Sequence, residues 1–230
     1  MSGAVVAPEA RTMRTRDFEM AFATRRGSRR TVNQDRARLC EHGLCVIDGM
    51  GGGEAGEVFA ELAANRVERS LALGEGPEGS LAGASADLAT LRRAVLRAPG
   101  GATGCVCAFD EGGSCQLAAL GDVRAFLVGE DDVEEVCELG SSSRGYLGDG
   151  RACAPRSCVL AEKGLGSRVL LVCSDGFWRY VTARELVRIV RAAPSLEAAA
   201  VRLVGLARSC ASPDDVTVAL CRPLAELPKD

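Results

Sequence analysis

The sequence predicts an α+β fold in which antiparallel sheets carry helices on their outer faces. Strand-like runs come in adjacent groups and not in strict alternation with helices, which argues against a doubly wound parallel sheet. The 230 residues are 47% apolar with a mean hydropathy of +0.07, enough to build a core and to exclude wholesale disorder. No internal repeat or low-complexity linker divides the chain. A single domain over residues 17–225 is therefore expected, with residues 1–16 as an N-terminal extension.

The elements follow from periodicity. Asp17–Ala23 alternates, with Phe18, Met20 and Phe22 on one face of a strand. Arg38–Asp48 reads as two strands around a His42-Gly43 turn, the second placing Leu44, Val46 and Asp48 on one face. Glu54–Leu71 carries Phe59, Ala63, Val67 and Leu71 at helical spacing, with Leu62 beside them, and predicts an amphipathic helix. Gly74–Gly83 reads as a turn-rich connection and Ser85–Arg97 as a second helix. Strand-like runs follow at Thr103–Phe109, Gln116–Leu120, Arg124–Gly129 and Val169–Cys173. Glu138–Gly166, rich in Ser, Gly, Arg and Pro, reads as loops. Helices are predicted at Thr182–Arg191 and Leu196–Ser209, and a last strand at Val216–Cys221.

Composition narrows the function. The balance of 28 basic against 31 acidic residues gives −3, which excludes a strongly basic nucleic-acid binder. Residues 1–38 hold nine arginines and four acidic residues, or +5, leaving −8 for the rest. Only Lys163 and Lys229 accompany the arginines, a bias associated with high-GC bacterial coding. No run of apolar residues is long enough for a membrane span, and the N-terminus lacks a signal-peptide core. The 11 cysteines lie scattered within apolar runs without a CxxC pair; the nearest spacings are Cys105–Cys107, Cys40–Cys45 and Cys153–Cys158. They read as reduced thiols used as small hydrophobes in a cytoplasmic protein, not as disulfides or a zinc site. A single histidine, His42, leaves carboxylates, thiols or hydroxyls to carry any chemistry.

Acidic residues recur at the ends of the apolar runs: Asp48-Gly49, Gly121-Asp122, Asp175-Gly176 and Asp214-Asp215. An aspartate there sits on a stiff element at the rim of a sheet. Hard divalent cations want several oxygen ligands, so such a set, without histidine, suggests Mg²⁺ or Mn²⁺ over zinc. Each Asp-Gly taken singly is also a common turn.

Taken together, the motifs resemble the metal-dependent serine/threonine phosphatases of type 2C. Gly27-Ser28-Arg29-Arg30-Thr31-Val32-Asn33-Gln34-Asp35 is similar to that family's GxxRxxN(E/Q)D opening, and Asp48-Gly49-Met50-Gly51-Gly52 to its DGMGG box. Gly101-Ala102-Thr103, Gly121-Asp122-Val123-Arg124-Ala125-Phe126, Tyr146-Leu147-Gly148, Ser174-Asp175-Gly176-Phe177-Trp178 and Asp214-Asp215-Val216-Thr217 resemble further boxes, in family order over residues 18–221.

The resemblance implies a four-layer α-β-β-α sandwich of two antiparallel sheets flanked by helices. It implies two Mn²⁺ or Mg²⁺ ions, with room for a third, and hydrolysis of phosphoserine or phosphothreonine by a metal-bridging hydroxide attacking phosphorus. Asp48 and the Gly49 carbonyl, Asp175 and Asp214 would be metal ligands, with Asp122 serving the additional ion. Gln34 and Asp35 would hold metal-bound waters, and Arg30 would grip the substrate phosphate. Expected partners are phosphoprotein substrates of a Ser/Thr kinase, and the protein is expected to be a monomer.

The chain departs from the pattern in several places. Met50 and Gly53 stand where relatives carry histidine, and Asp215 replaces the usual Asn, adding negative charge beside Asp214. Between Asp122 and Asp175 no helical flap subdomain is evident. Two other readings remain: a pseudophosphatase acting as a binding or sensor module, and a stress-response-type phosphatase acting on a small regulator protein.

Overall fold

The computed structural model describes residues 7–51, 55–96, 100–110, 114–136, 145–150, 155–160 and 165–224. Gly52 and Gly53 of the glycine-rich box, and most of the predicted 138–166 loop stretch, lie outside the described residues. The chain begins with strands β1 (Glu9–Arg14), β2 (Phe18–Arg25), β3 (Asp35–Cys40) and β4 (Gly43–Met50). Helices α1 (Ala55–Ala72) and α2 (Pro77–Leu91) follow, the latter continued by a π-helical turn at Arg92–Leu96. Strands β5 (Gly101–Phe109), β6 (Cys115–Leu120), β7 (Arg124–Val128), β8 (Val133–Val136), β9 (Arg156–Leu160) and β10 (Val169–Cys173) come next. The short α3 (Asp175–Trp178), then α4 (Ala183–Ala192), α5 (Leu196–Ser209) and β11 (Val216–Pro223) complete the order.

Two antiparallel sheets result, one ordered β1-β2-β11-β10-β7-β8 and the other β3-β4-β5-β6-β9. Alternation along each strand decides which layer a side chain enters. Met20 and Phe22, Leu44 and Val46, Cys105 and Cys107, and Leu170 and Val172 face each other between the sheets. The opposite face of the first sheet, with Ala21, Leu171 and Leu220, packs on Leu196, Leu203 and Val204 of α5. The opposite face of the second, with Ile47, Val106 and Leu120, packs on Phe59 and Val67 of α1 and Leu81 and Leu88 of α2. The four-layer sandwich is thus observed. Its central strands are apolar on both faces because both faces are covered.

Several elements differ from expectation. The helix α2 starts at Pro77, inside the predicted Gly74–Gly83 connection, because Pro suits the first helical turn and Leu81, Ala84 and Leu88 give it a buried stripe. Leu62 lies on the exposed side of α1, since Ala60, Ala63 and Ala64 turn to the sheet instead. Three strands carry no clear apolar signal: β8 is short and rich in glutamate, β9 lies in the loop-like stretch, and β1 is a polar edge strand within residues read as an extension. Nine described cysteines are free thiols, and six of them are buried. Burial pushes the thiols of Cys107, Cys173 and Cys221 well above their ordinary range, so they act as core residues. No helix among the described residues is long and apolar enough to cross a membrane.

Candidate active site

The predicted carboxylates come together where strand ends open at one mouth of the sandwich. Asp35 and Asp48 are register partners on β3 and β4. Both continue the inward-facing rows of Ala37 and of Leu44 and Val46, so their side chains end the core between the sheets. From the facing sheet, Ser174 closes β10 and Thr217 lies near the start of β11, again on the inward parity. The Ser174 hydroxyl donates to Asp35 Oδ2 at 2.7 Å and accepts from the Thr217 N–H at 3.0 Å. The Thr217 hydroxyl also bonds Asp35 and meets Thr24 Oγ1 at 2.6 Å, while Asn33 Nδ2 donates to Thr24 at 2.8 Å. This polar layer seals the apolar core beneath the site.

Asp122, Asp175 and Asp214 occupy the rim. The Thr103 hydroxyl on β5 donates to Asp122 Oδ1 at 3.0 Å. Asp175 opens α3, and one turn later Arg179 sets its guanidinium 3.2 Å from Asp175 Oδ2 and 3.6 Å from Asp122 Oδ2. Trp178 braces this corner: its indole N–H donates to the Asp122 carbonyl at 2.9 Å, and its ring carries Arg124 3.6 Å and Arg179 5.0 Å from the centroid. Gly176 packs so closely on the segment leading into β11 that a Cβ there would lie 1.9 Å from the Asp215 carbonyl oxygen.

Loop 26–34 delivers Arg30. Its Nε and Nη2 reach Asp214 Oδ1 at 2.8 and 2.7 Å, and its Nη1 donates to Gln34 Oε1 at 2.9 Å. Gln34 also ties the loop to the Asp48-Gly49 end of β4, because its carbonyl accepts the Gly49 N–H at 3.1 Å. A Cβ at Gly49 would lie 2.0 Å from the Gly56 carbonyl oxygen, so the strand can meet the start of α1 only with glycine there. Asp215 does not simply add charge beside Asp214. Its buried carboxylate accepts the Gly27 N–H at 2.7 Å and the Gln34 N–H at 2.8 Å, which pins both ends of the loop. Two backbone donors call for two acceptor oxygens, which Asp supplies and Asn does not.

The electrostatics are those of crowded carboxylates. Burial, then repulsion from Asp35, Asp175, Asp122 and Asp214, pushes the Asp48 carboxyl well above the ordinary range. Burial and Asp215 raise Asp35 to about 7, against the Thr217 and Ser174 hydrogen bonds. Burial and Asp122 likewise raise Asp175, with Arg179 pulling the other way. Among the described residues no three His, Cys, Asp or Glu side chains stand ready around one point as metal ligands. Arg30 holds Asp214, and Arg179 spans Asp122 and Asp175. The donor set nevertheless suits hard divalent cations: it is all oxygen, it repels itself, and two guanidinium groups already serve it as counter-charge. Asp48, the Gly49 carbonyl, Asp122, Asp175 and Asp214 are the residues that would hold such ions, with the rim carboxylates turning from the arginines.

The structure therefore brings together Arg30, Gln34, Asp35, Asp48, Asp122, Asp175 and Asp214. His42 does not join them; it lies in the turn before β4, while Asp48 is near that strand's far end. Sequence reasoning missed Arg179, signalled only by its i+4 spacing from Asp175, and the Ser174–Thr217–Thr24 layer. That layer becomes visible only once two distant strands pair.

No protein-family model and no curated protein matches the chain. Solved structures do, and they show the fold: it is the fold of bacterial serine/threonine phosphatases of type 2C. The catalytic domain of the phosphatase PstP, solved with two manganese ions, superposes with a TM-score of 0.80 at 21% identity, covering 91% of this chain and 99% of that one. PppA, described as a key regulatory component of the T6SS in Pseudomonas aeruginosa, gives 0.79 at 20% identity over 90% and 98%. The S. agalactiae serine/threonine phosphatase gives 0.78 at 19% identity over 89% and 98%.

Proposed function

We propose that the protein is a metal-dependent phosphatase acting on phosphoserine and phosphothreonine in bacterial cytoplasmic proteins, opposing a Ser/Thr kinase. The observation that carries this reading is the convergence of Asp48, Asp122, Asp175 and Asp214 with Arg30 at one mouth of the sandwich. Asp48, Gly49, Asp175 and Asp214 would hold two Mn²⁺ or Mg²⁺ ions, and Asp122 a third. The chemistry such ions supply is acidification of a water and neutralisation of phosphoryl charge. Arg30 offers a planar fork to the phosphoryl oxygens, and the Asp215 clamp holds its loop in place before substrate arrives. Gln34 and Asp35 orient water at the inner wall. Met50 occupies the position after Gly49, so the leaving group takes its proton from solvent and not from an imidazole.

The assay is phosphate release from a phosphothreonine peptide and from p-nitrophenyl phosphate with Mn²⁺, with EDTA, and by Asp175→Asn. Mn²⁺-dependent release abolished by EDTA and by the substitution is expected; release no greater than that of Asp175→Asn refutes the reading. The pairing of Arg30 and Arg179 with the carboxylates favours one second reading, a binding module without turnover. In the same assay it gives no release.

A further inference from the structure

Beside the candidate site, loop 26–34 borders a cleft of about 300 Å³ lined by Arg25, Arg26, Ser28, Asn33, Arg208 and Glu9. Its charge is unbalanced. The side chain of Arg25, half-buried at the end of β2, has no hydrogen-bond or ion-pair partner among the described residues. Arg26 donates to the Thr31 carbonyl at 2.7 Å, and Arg208 donates to the Ser212 carbonyl, neither of them a counter-charge. Glu9, the acidic residue of the lining, is engaged with Arg11 at 3.2 Å. Three guanidinium groups thus share one concavity without a carboxylate partner among the described residues, an arrangement that an incoming anion stabilises.

The cleft and the candidate site are two sides of one turn. The Arg30 N–H donates to the Gly27 carbonyl at 3.4 Å, so residues 27–30 form a β-turn, whose end Cα atoms lie within about 7 Å. Gly27 lines the cleft while its backbone packs on Asp214, and Arg30 reaches Asp214 from the far end of the turn. A span of about 7 Å is roughly two residues of extended peptide. We propose that this cleft binds acidic side chains flanking the phosphorylated residue of a protein substrate, so that the enzyme selects phosphosites in acidic sequence. The proposal rests on the phosphatase reading above and adds its substrate class.

The test compares phosphothreonine peptides with three aspartates or three serines placed on either side of the phosphoresidue, using wild type and Arg25→Gln, Arg25→Glu and Arg25→Lys. Wild type and Arg25→Lys should show KM about five- to tenfold lower for an aspartate-flanked peptide. Arg25→Gln should abolish that ratio and Arg25→Glu invert it, with kcat and p-nitrophenyl phosphate turnover unchanged. Equal KM values in wild type, or a ratio that survives Arg25→Gln, overturn the proposal. If p-nitrophenyl phosphate is not turned over, the phosphatase reading fails. Fluorescence anisotropy of a labelled, unphosphorylated aspartate peptide then decides the cleft by itself: weaker binding by Arg25→Gln supports it, and unchanged or absent binding overturns it.

Discussion

Replacing Gly176 by alanine, with Gly205→Ala as its control, sets the same added methyl group against two different surroundings. At Gly176 the new Cβ would lie 1.9 Å from the Asp215 carbonyl oxygen, 3.0 Å from its carbon and 3.4 Å from the Asp214 Cβ. The obstacle is the backbone of Asp215 just before β11, not a side chain able to swing aside. The 214–215 segment must therefore retreat by about 1 Å or more, or α3 must lift off. Overpacking of this kind costs about 1–3 kcal/mol. For a domain of this size that is a fall in Tm of roughly 2–12 °C. The displaced residues are Asp214, Asp175 and the Asp215 clamp, so Mn²⁺ binding should weaken along with stability. At Gly205, inside α5, a Cβ meets nothing within 4 Å. There alanine should stabilise by about 0.5–1 kcal/mol through helix propensity alone. Thermal denaturation followed by circular dichroism, with and without Mn²⁺, reads both variants. A Gly176→Ala protein with wild-type Tm and wild-type Mn²⁺ response refutes the packing argument.

Two further perturbations test the site's charge. Removing Arg179 as Arg179→Ala frees Asp175 and Asp122 of a competing cation, and Mn²⁺ affinity should rise about fivefold, the worth of roughly 1 kcal/mol for a half-exposed pair. Isothermal calorimetry measures it, and weaker binding would show instead that the guanidinium positions the carboxylates. The second concerns pH. Asp35, raised to about 7, and Asp48, raised well above its ordinary range, hold protons in the fold that the unfolded chain releases from about pH 4 upward. That contribution is present at lower pH and is lost as pH rises through the folded values, so in EDTA the Tm should be higher near pH 5.5 than near pH 8. A Tm in EDTA that increases over this interval contradicts the carboxylate crowding.

Much of the molecule was legible in its residues because the signals are local. Alternation placed Phe18, Met20 and Phe22 on one face of β2, and the spacing of Phe59, Ala63 and Val67 defined the buried side of α1. An aspartate next to glycine at the end of an apolar run marked Asp48 and Asp175 by chemistry that needs no partner to be recognised. Where the signal depended on partners, it failed: the polar edge strand β1 is a strand because β2 lies beside it over six register pairs. In the same way α2 extends back to Pro77 because Leu81 and Leu88 find the second sheet to cover.

By itself, then, the sequence determined the class of fold and the candidate carboxylates at strand ends, since residue type and period 2 or 3.6 are properties of short stretches; a phosphate-gripping Arg30 was only what the family resemblance implied. Only the tertiary structure decided what each charged group does. Asp215 clamps the Arg30 loop, Arg179 spans two rim aspartates, and Asp35 is buried on Ser174 and Thr217. Among the described residues, Arg25 is left without a counter-charge beside the site. These assignments join residues 24 to 217 and 27 to 215 through the pairing of β2 with β11. A carboxylate's partner is set by which strand ends meet in space, and no local pattern encodes that.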